Sequence, residues 1–236
     1  PVVALAELEL FCSRPHAPTR RVALGQSQLP CEPTPGFGGV LLGGVVARFV
    51  AEIDEELIPD VKALTHELET GRRVPQPRLR FRLQVDTVGL DAVSHRLVGN
   101  GDVLAFEFDD RGAPEQQILG AVYAAAALTP SLRRPIMTVI RRAIAWGGPV
   151  GPDLIASLSG FRGVVLGSRR AVGDPVQWAL SCLGLPTATS APSPKDVQRN
   201  YRERLREVHP DHGAEVEGAA QRIAELSEAR RILIGR

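Results

Sequence analysis

Two hydrophobic periods run along this chain, and the change from one to the other divides it. The first part mixes both. Val2–Phe11 and Arg21–Leu29 read as strands, with Pro15 and Pro18 breaking the connection between them. After the loop Pro30–Gly36, helical spacing runs from Phe37 to about Leu57, ending before Pro59, and again over Asp60–Leu68, ending at Thr70-Gly71. A proline-containing link, Arg72–Pro77, leads to Leu79, Phe81, Leu83 and Val85, which alternate with polar residues and predict a strand over Leu79–Val85 with those four on one face. Gly99-Asn100-Gly101 predicts a turn and Val103–Phe108 another strand. Helices are expected over Pro114–Leu128 and Leu132–Trp146. This mixture predicts an α+β domain over residues 1–146.

Residues 147–173 carry seven glycines and two prolines without a clear period and read as a linker, with one short strand expected at Val164–Leu166. Beyond it only the helical period survives. Val197, Tyr201, Leu205 and Val208 form one apolar stripe, and Lys195, Arg199, Arg202, Arg204 and Arg206 occupy the other faces. Ser193 suits an N-cap, Pro194 the first helical position, and Asp196 the positive end of the helix dipole. Pro210 lacks an amide hydrogen and disfavours helical geometry at His209, so the helix should stop there and present His209 and Asp211 on a turn. A last helix, Ala219–Ile234, repeats apolar residues at Ile223, Leu226 and Leu233, so the two helices should pack antiparallel, stripe to stripe.

Five elements in this order resemble the J domain of the Hsp40 (DnaJ-like) co-chaperones. They are Leu180-Ser-Cys-Leu183-Gly184-Leu185, Ser193-Pro194-Lys195-Asp196, the basic helix with Tyr201, Arg202 and Leu205, the tripeptide His209-Pro210-Asp211, and the segment Ile223–Leu233. The resemblance covers residues 174–236. It implies a small all-α helical hairpin whose core is Leu180, Leu183, Leu185, Val197, Tyr201, Leu205, Ile223, Leu226 and Leu233. It implies a DnaK-like Hsp70 partner, with Lys195, Arg199, Arg202 and Arg206 docking on an acidic surface. His209, Pro210 and Asp211 would then reach the partner where its nucleotide-binding domain meets the interdomain linker. The ATPase site belongs to the partner, so no catalytic residue and no cofactor are expected, and residues 1–146 would select an unknown client or a location. Leu180 and Arg230 stand where the family often carries aromatics, and the loop Pro186–Pro192 is longer than usual. Nothing resembles the glycine/phenylalanine region or the zinc-binding cysteine repeats of full-length bacterial J proteins. Two other readings stay open: a small-molecule enzyme on the first domain with a vestigial hairpin, and an adaptor for a protein other than Hsp70.

Composition narrows the alternatives. A net charge of +1 gives no bulk attraction to nucleic acid, and the basic helix offers a single aromatic, Tyr201, on its apolar stripe. Within 174–236 nine basic residues balance nine acidic ones, so the asymmetry of the helix matters more than the sum. Three cysteines without a Cys-x-x-Cys pair argue against a disulfide framework or structural zinc. The apolar run Val40–Ala47 is too short to span a bilayer, and the opening residues lack the pattern of a secretory signal, so a cytoplasmic protein without a membrane partner is expected. The basic residues are 26 Arg against 2 Lys, a bias typical of GC-rich, for example actinobacterial, genomes.

Other chemistry is weaker. Gly36–Gly44 lacks both the dinucleotide-fold spacing and a Gly-Lys-Ser/Thr sequence, so Gly39, Gly43 and Gly44 read as a helix face open to close approach by another backbone. His95 and Glu107, with Asp109-Asp110, invite an acid–base or metal reading, but paired acids after a strand are usually solvated turn residues. His209, Asp211 and His212 are adjacent in one loop, a poor geometry for a metal.

Overall fold

The computed structural model describes residues 2–160, 169–187, 191–208 and 218–235. A mixed five-stranded sheet dominates the first part, and the region after it is mostly helical. The strands are β1 (Val2–Cys12), β2 (Arg21–Leu24), β3 (Arg82–Gln84), β4 (Asp91–Asn100) and β5 (Val103–Glu107), in the order β3-β2-β1-β4-β5. All pairs are antiparallel except β2 with β3. β1 is central, and its alternation sorts the faces: Ala6, Leu8, Leu10 and Cys12 are buried, and the register sets Leu8 beside His95 and Leu10 beside Val93. The opposite face carries Glu7, Glu9, Ser94, Arg96 and Glu107, with Arg96 paired to Glu107 at 2.8 Å.

Nine helices are described: α1 (Gly36–Val50), α2 (Ile58–Glu69), α3 (Pro114–Ala127), α4 (Pro130–Ile144), α5 (Pro152–Leu158), α6 (Arg169–Gly173), α7 (Pro175–Cys182), α8 (Pro194–Val208) and α9 (Ala219–Ile234). α1 and α3 lie against the buried face of the sheet, and α4 packs on both, with α2 beside it. α1 is therefore enclosed on all sides, which explains a sequence with almost no polar face. Gly39, Gly43 and Gly44 make room for side chains rather than for the backbone approach expected, which is met instead at Gly38, beside the Leu29 backbone. A Cβ on Gly39 would sit 2.6 Å from Ile136 Cδ1, one on Gly43 would sit 2.8 Å from Leu158 Cδ1, and one on Gly44 would run into the Phe106 ring. Gln116 joins the layers, donating from Nε2 to Ser13 Oγ (3.0 Å) and the Arg21 carbonyl (2.8 Å) and accepting at Oε1 from the Ala113 N–H.

Several elements differ from the pattern reading. α1 ends at Val50, and Asp54 caps a separate 3-10 turn at Glu55–Leu57, accepting from the Glu56 N–H at 3.1 Å. Pro59 lies inside the first turn of α2, where no amide hydrogen is required. β2 stops at Leu24: the Gly25 N–H still donates to the Glu9 carbonyl (2.8 Å), but the Glu9 carboxylate captures the Gln26 N–H (2.8 Å), and the next paired residues are Glu7 and Gln28. The strand expected from Leu79 is reduced to Arg82–Gln84. Arg80 takes φ 66°, which keeps Leu79–Phe81 out of the strand; Leu79 and Phe81 are still buried and Leu83 half-buried, as the alternation predicts, but Val85 is 93% exposed. Residues 147–173 are more than a linker: α5 and α6 place Leu154, Ile155, Leu158, Ala171 and Val172 in the main core. The strand expected at Val164–Leu166 lies outside the described residues. Among the described residues no helix is long and apolar enough to cross a membrane.

Candidate functional site

α7 ends on a local hydrogen-bond pattern that the sequence dictates. The Leu185 N–H donates to the Leu180 carbonyl (2.9 Å) and the Gly184 N–H to the Ser181 carbonyl (3.1 Å), with Gly184 at φ +64°. This is a Schellman ending, in which the left-handed residue is glycine and the flanking leucines meet. Leu180, Leu183 and Leu185 are accordingly buried together with Ala179, Val197, Leu226 and Ala229.

α8 begins as its sequence requires. Ser193 Oγ accepts from the Asp196 N–H (3.2 Å) and donates to the Asp196 carboxylate (2.7 Å). α8 and α9 lie side by side, with the Tyr201 hydroxyl 3.3 Å from Ser227 Oγ. The guanidinium of Arg230 stands 5.0 Å from the Tyr201 ring centroid, so it packs on the ring. Tyr201 and Leu233, half-buried, pack at the margin of the cluster, whereas Leu205 and Ile223, also half-buried, are not part of it, contrary to the core expected from the sequence. Trp178 and Ile232, which were not counted with this core, pack against it and also against the main core.

The exposed face of α8 gathers Lys195, Arg199, Arg202 and Arg206, with one acid, Glu203, along one shallow groove of about 580 Å³, closed at one side by Ile234. Their spacing is four, three and four residues, so they share one side of the helix. Arg199 pairs with Asp196 at 3.1 Å, both side chains being exposed; among the described residues no acid pairs with Lys195, Arg202 or Arg206. Arg204 stands apart. Its guanidinium lies over Gly184, and it pairs with Glu207 at 3.1 Å. His209, Pro210 and Asp211, which follow α8 in sequence, lie outside the described residues.

The alternative chemistry in the sheet has a structural explanation. His95 is fully buried on β4, its Nε2 2.8 Å from Gln117 Oε1 and its Nδ1 accepting from the Asp109 N–H at 3.3 Å. Burial holds its pKa below the ordinary value, with the Gln117 hydrogen bond and the Asp109 and Asp110 charges opposing. Asp109 is committed to Arg111 at 2.5 Å, which with its hydrogen bonds pulls the carboxyl down to about 2. Glu107 faces Arg96 on the other side of the sheet. Among the described residues no three His, Cys, Asp or Glu side chains gather as a metal would require. Cys12, Cys31 and Cys182 are free thiols, with pKa values raised by burial to about 12, 11 and 11.

Comparisons with protein-family models, with curated proteins and with solved structures match nothing to this chain.

Proposed function

We propose that residues 174–236 form a J domain and that the protein is a co-chaperone of a DnaK-like Hsp70. The observation that carries this reading is the alignment of Lys195, Arg199, Arg202 and Arg206 on one exposed side of a helix whose sequence runs directly into His209-Pro210-Asp211. The Schellman ending at Gly184 and the pairing of α8 with α9 support it, because they hold that side of α8 away from the core. Four cations, of which only Arg199 has an acid partner among the described residues, favour an acidic docking surface, which steers encounter and fixes orientation. Docked in this way, His209 and Asp211 bias the partner toward ATP hydrolysis only if they bind the hydrolysis-competent arrangement more tightly. Cytoplasmic residence and client selection by residues 1–146 belong to the same proposal.

The test is ATP turnover by the host's own Hsp70. The wild-type chain should accelerate it, and His209→Gln should abolish the acceleration while leaving the fold intact by circular dichroism. Acceleration by the wild type should weaken as ionic strength rises. A wild-type chain that leaves turnover unchanged overturns the proposal.

A further inference from the structure

A second concavity, of about 420 Å³, lies between the β3 edge of the sheet and helices α2 and α3. Its wall is apolar, formed by Leu24, Leu68, Val74, Leu83, Tyr123 and Ala126, and one charged group, Arg73, stands on it. The size is that of a small-ligand site, where an apolar wall with few polar groups is usual.

Three observations select the occupant. First, the wall is braced. The Tyr123 hydroxyl donates to the Val74 carbonyl, and burial pushes its pKa up to about 12, so it stays a neutral group. Second, the Leu83 N–H already donates to the Pro75 carbonyl at 2.8 Å, so an extended peptide cannot use that amide to add itself to β3. An apolar body that needs no backbone pairing fits better. Third, the surroundings are cationic: residues 71–85 hold five arginines and no acid. Arg72 pairs with Glu67 at 3.7 Å and Arg78 with Asp60 at 3.3 Å, while Arg73 has no acid partner among the described residues. Asp86, just beyond Gln84, is engaged by the Gln84 side chain and the Val88 N–H.

We propose that this groove binds an apolar-tailed monocarboxylate, with the tail between Leu24, Leu68, Leu83 and Ala126 and the carboxylate on the Arg73 guanidinium. A guanidinium offers a carboxylate two parallel donors, and the tail is driven in by leaving water. The site is separate from the basic face of α8 and does not depend on the co-chaperone reading.

Titration calorimetry of the full chain with octanoate and with 1-octanol tests it. The wild type should bind octanoate more tightly than octanol. Arg73→Gln should weaken octanoate by about fivefold, the scale of an exposed ion pair, and leave octanol unchanged. Ala127→Trp places a ring in the groove from an exposed position on α3 and should remove binding of both without lowering the melting temperature. No octanoate binding to the wild type at millimolar concentration overturns the proposal. So does equal wild-type affinity for the two probes, or binding that ignores both substitutions.

Discussion

His95 is sealed from water, yet both ring nitrogens have partners, and this makes it sensitive to acid. Because Nδ1 accepts from a backbone N–H, the proton sits on Nε2 and is donated to Gln117. Gln117 in turn donates from Nε2 to the Arg111 carbonyl, and the rings of Phe49 and Phe108 stand 5.7 and 6.0 Å away. A second proton would bring an N–H against the Asp109 N–H inside an apolar shell. The native state therefore takes up that proton less readily than the unfolded chain, and stability must fall as pH drops below the ordinary histidine value of about 6.5. Asp109, held at about 2, contributes stability that is lost only in a lower window, from about 4 downward. Denaturant unfolding at pH 7.5 and 5.0 should show a larger loss for the wild type than for His95→Gln. Parallel losses would refute the assignment. In the sequence His95 stands near Glu107 and Asp109-Asp110 and suggests chemistry; only the register of β4 with β1 shows that it points into the core, away from Glu107.

Among the elements, α7 makes the sharpest demand on one residue. Gly184 sits at φ +64°, and a Cβ there would come within 2.5 Å of Arg204 Nη2. The arginine end can swing aside, so the backbone conformation sets the cost, about 1 kcal/mol for a residue with a side chain. Gly184→Ala should lower unfolding stability by that amount and Gly184→Asn by less, measured in denaturant; an unchanged or raised stability for the alanine variant would contradict the geometry. This element entered the sequence reading only through the resemblance that Leu180–Leu185 carries, whereas β1, α3 and the cationic side of α8 were readable because each follows from local spacing. β4 was not. Asp91, Ser94, His95 and Arg96 dilute its alternation, and the inward histidine hides the apolar phase. The short form of β3 was hidden for a different reason, since Arg80 takes a positive φ that residue preference does not predict for arginine. The groove near Arg73 is assembled from separate segments around β2, α2, β3 and α3, so no window of sequence could reveal it.

Across the whole molecule, α9 belongs to two cores. Its inner side packs on α7 and α8, while Ile232, with Trp178 of α7, reaches the main core around α1. Arg231 secures this position: Nη2 donates to the Gly160 carbonyl at 3.1 Å, and the guanidinium pairs with Glu228 at 2.5 Å. Glu228 is only 2% exposed, so its carboxylate depends on that partner. Both residues lie on α9, so the pair holds the guanidinium that reaches Gly160, and the isolated loss of either charge is not equivalent. Arg231→Met leaves a buried anion and should cost about 2 kcal/mol, below the 3–5 kcal/mol typical of a fully buried pair because Arg231 is itself half-exposed. Glu228→Gln leaves a neutral amide that still accepts from the guanidinium and should cost less. The double variant Glu228→Leu with Arg231→Met removes both charges and should recover most of the loss, since an apolar pair suits a site between two apolar cores. Unfolding free energies for the single and double variants decide the matter. If the double variant is no more stable than Arg231→Met alone, the carboxylate is not held by Arg231.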